Sequence, residues 1–278
     1  MENMYGVEYS KPEVVLLQET GIGVAETAAR TCYDSFNNSE NDVIKNIEHS
    51  MPTESMCNEL NTIEDSALLD DLAWTYFHHS ILEHSNLSFL VRGTSRGVLQ
   101  EHARHRIQAI SVRSTRYTMS GIINAFVASL HGGDREFFIK RVLEFDMFVT
   151  TNATYNALEI GAMYDKLKYQ SKVVEDFNSI AVAKSSLEFL EIHKGNAQAL
   201  YEALQNGKKK RNVGDAFKHI ITDNVKVDMV VTFNLRSLKN YFTLRDSGAA
   251  FFQIRWLAQE MIRVTPQKYL DLILKKRA

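Results

Sequence analysis

Six arginines fall within one stretch of the chain: Arg92, Arg96, Arg104, Arg106, Arg113 and Arg116, with His102 and His105 among them. Guanidiniums this crowded repel one another unless anions neutralise them. The planar fork of arginine suits phosphate, because it donates paired hydrogen bonds. The stretch has no aspartate and a single glutamate, Glu101, so an exogenous anion is the economical counter-charge. Arginines paired with acids from elsewhere in the chain are the alternative. On charge alone the anion is equally a nucleic-acid backbone.

Other reactive side chains point less firmly. His78, His79, Glu83 and His84 lie together, but a helical zinc pair wants histidines four apart with a glutamate between. Here the spacings are one, five and six, so no metal is expected, and His84 reads as a core histidine. Cys32 has no second cysteine at redox or metal spacing, and Ser114 has no general base beside it. Neither reads as a nucleophile. Cys32 and Cys57 do not form a disulfide framework. The net charge of -2 provides no global basic field, so nucleic acid is not expected as a partner. The first residues lack a signal-peptide pattern and no apolar run reaches membrane length. The expectation is a cytoplasmic protein without membrane contact.

These residues need elements to hold them. Val14–Thr20 reads as a strand closed by Gly21 and Gly23, and Val24–Tyr33 as a helix. Residues 35–71 are polar and asparagine-rich and read as an insertion with a short helix within Asp42–His49. Leu68–His79 and Gly97–His105 read as helices, the second capped by Thr94 or Ser95, and Leu87–Val91 as a strand. Ser114–Met119 reads as extended. Gly132 and Gly133 mark a break before a largely helical stretch to about Leu204, with Phe137, Phe138, Val142, Phe145 and Phe148 on one core face. Gly207–Gly214, rich in lysine, reads as a solvated basic turn. Val225–Phe233 reads as a strand, then Ser237–Leu244, Ala249–Val264 and Lys268–Lys276 as helices. Helices and strands do not alternate regularly, so the fold class is α+β, read as a single domain over 1–278.

The order within the arginine stretch is specific. Arg104-His105-Arg106, seven residues, then Ser114 resembles the signature of flavin-dependent thymidylate synthases. Three further segments in family order support the resemblance: Ala29–Tyr33, His78–His84, and Asn234–Asn240 followed by Leu244-Arg245. The resemblance implies a flavin-dependent thymidylate synthase-like fold with a mixed sheet and long helices. It implies FAD as cofactor, dUMP as substrate, methylene-tetrahydrofolate and NADPH as co-substrates, and a homotetramer with active sites between subunits. His78, Ser80, Arg104, His105, Arg106, Asn234, Arg236 and Asn240 inherit flavin positions. Glu101, Arg104, Ser114, Arg116, Lys218 and Arg245 inherit nucleotide positions, with Arg245 facing the pyrimidine as the catalytic residue.

The chain also departs from the family pattern. Val112 stands where a glutamate or glutamine is usual, Lys218 where an arginine is usual, and Ala249 and Phe251 where polar groups are usual. Two other readings therefore stay open. One keeps the fold and modifies another pyrimidine nucleotide, for example by hydroxymethylation. The other is a non-catalytic nucleotide- or RNA-binding protein.

Overall fold

The computed structural model describes residues 11–48, 50–118, 120–149, 153–173 and 221–274. Four strands form one sheet: β1 (Glu13–Glu19), β2 (Asn86–Ser95), β3 (Ala109–Val112) and β4 (Lys226–Asn234), in the order β1-β2-β4-β3. β1 and β2 are antiparallel, with Val14 opposite Val91 and Leu16 opposite Phe89, and an irregularity between Leu16 and Gln18. Side chains alternate across a strand, so Leu87, Phe89 and Val91 of β2 share one buried face. Met229, Val231 and Phe233 of β4 alternate in the same way.

The helices are α1 (Ile22–Tyr33), α2 (Asp42–Ile47), α3 (Glu54–Leu60), α4 (Ala67–Trp74), α5 (Arg96–His102), α6 (Thr115–Thr118), α7 (Ser120–Gly132), α8 (Arg135–Glu144) and α9 (Ala153–Val173). After β4 come α10 (Leu235–Arg245), α11 (Phe252–Val264) and α12 (Gln267–Ile273). A four-stranded sheet with helices in irregular order makes the fold α+β.

The chain divides into two compact units. One contains Pro12–Arg92, Val98–Ser111 and Asp228–Ala278; the other contains Gly93–Gly97 and Val112–Val227. In the first, α10 buries Leu235, Leu238, Tyr241 and Phe242, a spacing that puts one stripe of the helix inward. α11 does the same with Ile254, Leu257, Ala258 and Met261. Each fully buried side chain of this size contributes roughly 1.5–3 kcal/mol. Gly21 is needed here as glycine: a Cβ would collide with the Asn61 backbone, and the Asn61 side chain accepts from Gly21 N at 3.0 Å. In the second unit Phe126, Phe138 and Tyr164 pack edge-on or tilted at 5.3–6.1 Å.

Several expectations are corrected. Residues 115–118 form a helical turn instead of an extended segment, because Tyr117 N and Thr118 Oγ1 both bond to Ser114 O. Thr94 and Ser95 end β2; Thr94 Oγ1 is buried without a hydrogen-bond partner, so Thr94 does not cap α5, whose Arg96 N bonds Val225 O. Phe138, Val142 and Phe148 are buried, but Phe137 and Phe145 are 40% and 42% exposed. The predicted helix over Leu68–His79 stops at Trp74. Phe77 then takes a left-handed φ of 55°, which is costly for a bulky residue. His84 is exposed, not part of the core. The basic turn at 207–214, the helical reading beyond 173 and Lys218 lie outside the described residues.

Candidate active site

The arginine motif emerges from α5 into a turn. Arg104 N bonds to Glu101 O, His105 N to His102 O, and the Gln108 side chain donates to His102 O at 2.9 Å. His102 anchors this turn in the core. Its Nδ1 lies 3.0 Å from the Tyr241 hydroxyl, and its ring packs edge-on against Phe233 and Tyr241. Arg104 and Arg106 are thereby turned outward on a fixed base.

The facing wall is α10. Asn234 caps it by accepting from Ser237 N at 2.8 Å. With Leu235, Leu238, Tyr241 and Phe242 committed to the core, helical spacing puts Arg236, Lys239, Asn240, Thr243 and Leu244 on the other side. Between this wall and the motif turn lies a cleft of about 900 Å³. Arg104, His105, Arg106, Arg236, Lys239 and Arg245 bring most of its charge, while Ile107 and Leu244 give it apolar surface.

Arg245 also lines the cleft. Its Nη1 donates to Glu101 Oε2 at 2.7 Å, its Nη2 to Glu101 O at 3.3 Å, and its Nε to His105 Nε2 at 2.9 Å. A histidine that accepts there must be neutral at that nitrogen. His105 is suited to this, since burial first and the Arg245 charge second push its pKa down. Arg236 pairs with Glu83 across the cleft wall. Among the described residues, Arg104 and Arg106 have exposed side chains with no acidic partner. Both guanidiniums line the cleft.

The cleft brings together Arg104, His105, Arg106, Arg236, Asn240 and Arg245 from the sequence reading. Glu101 stands behind them, its carboxylate engaged by Arg245. His78 and Ser80 lie at the start of a 3-10 turn and are exposed, and neither lines this cleft; nor does Asn234 at the head of α10. Ser114 and the backbone of Arg116 belong to the other unit, at α6. Of the departures, Val112 packs on the core of that unit, and Phe251 precedes α11 with its ring 4.8 Å from Phe252. The sequence reading did not assign His79, Glu83, Lys239, Thr243 or Leu244. Helical spacing from Arg236 would have found Lys239 and Thr243, whereas His79 and Glu83 are brought there by the turn after Phe77. No group of three metal-binding side chains occurs among the described residues, and no described helix is long and apolar enough to cross a membrane.

Burial, followed by the charge of His105, pushes the His102 pKa from 6.5 down to about 4. The unfolded chain takes up this proton near 6.5 and the folded chain does not. This contribution to stability is therefore complete above pH 6.5 and lost as pH falls through about 4. The gap corresponds to on the order of 3 kcal/mol. In urea titrations the wild-type chain should lose about that much more stability between pH 7 and pH 4 than His102→Phe. Parallel losses in the two proteins would show that His102 does not titrate this way.

The family model for the thymidylate synthase complementing protein matches residues 15–269. A flavin-dependent thymidylate synthase of Campylobacter jejuni is 27% identical over 257 residues, covering 92% of this chain and 93% of that protein. One from Helicobacter pylori is 26% identical over 261 residues, covering 92% and 95%. The crystal structure of thymidylate synthase X from Helicobacter pylori, with FAD and dUMP, superposes at a TM-score of 0.58. It has 24% sequence identity and covers 95% of this chain and 97% of that one.

Proposed function

This chain belongs to the thymidylate synthase complementing protein family, and on that premise we propose that it is an FAD-dependent thymidylate synthase. In this reading it methylates dUMP to dTMP, with methylene-tetrahydrofolate as carbon donor and NADPH as reductant. It is a cytoplasmic homotetramer of single-domain subunits, with residues 35–71 as an insertion and active sites between subunits.

The observation that carries this reading is the cleft, where Arg104 and Arg106 have no acidic partner among the described residues and lie beside Ile107 and Leu244. The donor set fits a ligand with a pyrophosphate and a planar ring: guanidiniums for the charge, apolar side chains for the ring. Arg104, His105, Arg106, Arg236 and Asn240 would hold FAD, with His78, Ser80 and Asn234 inherited as further contacts. Bound FAD supplies the hydride and the one-carbon relay that no side chain can supply.

The protein's share is to position and polarise. Uracil is a poor carbon nucleophile until negative charge develops on its ring, and an oriented arginine stabilises that charge. Arg245 is oriented by three hydrogen bonds to Glu101 and His105. Ser114, Arg116 and Lys218 are assigned to the nucleotide, the first two to its phosphate. Arg116→Ala should weaken dUMP binding by about ten- to a hundredfold, the scale of one lost charged hydrogen bond. Calorimetry with dUMP and with uridine checks this, since uridine has no phosphate. Equal weakening of both would make Arg116 structural.

The test of the reading as a whole is the absorption spectrum. The purified protein should show oxidised flavin that bleaches on adding NADPH, with and without dUMP. A protein that binds RNA or nucleotide but takes up no FAD would favour the non-catalytic alternative.

A further inference from the structure

Lys239 has no role in the assignments above. It lies on the cleft side of α10, three residues from Arg236. Its ammonium is 3.9 Å from the centroid of the Trp74 ring and 3.1 Å from His79 Nε2. Among the described residues these are its polar contacts, and neither is a carboxylate. The indole face attracts the cation through its quadrupole, and the imidazole nitrogen accepts one hydrogen bond.

An ammonium carries three N–H donors. His79 takes one and the indole face a second, which leaves the third for an acceptor in the cleft. The position of His79 adds a constraint. Its Nε2 is also 3.0 Å from Ala73 O, yet one ring nitrogen cannot donate to that carbonyl and accept from Lys239 at once. Negative charge in the cleft selects the second arrangement, with Lys239 charged and His79 accepting. Burial pulls Lys239 toward its neutral form, and an anion in the cleft would oppose that pull.

We propose that Lys239, held between Trp74 and His79, stabilises the negative charge of the reduced flavin ring. This rests on the FAD reading above. Taking up two electrons and one proton leaves one negative charge on the ring system. A cation on the wall therefore favours the reduced form over the oxidised one. A contact to a phosphate, whose charge is the same in both forms, does neither.

The experiment is a dithionite titration of the full-length, FAD-loaded protein against a reference dye. Lys239→Met and Lys239→Arg are titrated alongside, and FAD affinity is read by fluorescence. Lys239→Met should keep its affinity for oxidised FAD within about threefold. Its preference for reduced over oxidised flavin should fall about tenfold, a drop of about 30 mV for a two-electron couple. Lys239→Arg should stay close to wild type. If Lys239→Met does not fold, Lys239→Gln carries the same expected drop. An unchanged potential in a folded, FAD-loaded variant without the cation overturns the proposal. Failure of the wild-type protein to bind FAD overturns the reading beneath it instead.

Discussion

Arg245→Lys should slow single-turnover dTMP formation by about a hundredfold or more, the scale for removing one oriented charge stabiliser. Lysine keeps the charge but loses the fork. In the wild-type chain Nη1, Nη2 and Nε each have a defined acceptor on Glu101 or His105, and an ammonium cannot reproduce that planar arrangement. Since the interaction is assigned to the transition state, kcat and kcat/KM should fall together. Reduction of the flavin by NADPH should survive, because Arg245 is not assigned to the flavin. The competing account makes Arg245 a basic residue in the last turn of α10 that serves the helix dipole. On that account the cost falls on stability and the rate in pre-reduced enzyme stays near normal. Near-normal product formation in a folded Arg245→Lys protein would therefore remove the catalytic assignment.

The second large effect concerns Arg104 and Arg106, which have no acidic partner among the described residues. Each charge-assisted hydrogen bond to a ligand contributes roughly 1.5–3 kcal/mol. Arg106→Ala should thus bind FAD about ten- to a hundredfold more weakly, and Arg104→Ala/Arg106→Ala about a hundredfold or more. Stability should hardly change, because both side chains are exposed and engage no acid among the described residues. Flavin content after purification and a melting curve separate the two outcomes. Full flavin occupancy in the double variant would mean that the cleft is not held by its arginines.

The sequence was legible where one local rule governs. β1, β4 and α10 follow from alternation and from apolar residues at helical spacing, and the structure places them within a residue or two of the expected bounds. The arginine motif was legible because so much like charge in a short stretch demands an explanation. What was not legible depends on contacts remote in sequence. Residues 115–118 have the threonine and tyrosine content of a strand, yet Ser114 O gathers two donors and closes a helical turn. Phe137 and Phe145 share the composition of a core stripe, but the core of that unit takes Phe138, Val142 and Phe148. The wall of the cleft shows the same limit. His79 reaches Lys239 across 160 residues of sequence, and no periodicity announces that meeting.

The central claim is the reaction itself, and the most direct measurement is product analysis by mass spectrometry. Purified protein is incubated with FAD, NADPH, methylene-tetrahydrofolate and dUMP, omitting one component at a time, and with dCMP in place of dUMP. The account predicts dTMP, dUMP bearing one added methylene unit, in the complete mixture and none when NADPH or the folate is left out. No product from a protein that holds FAD, or a hydroxymethylated nucleotide in place of dTMP, would contradict it.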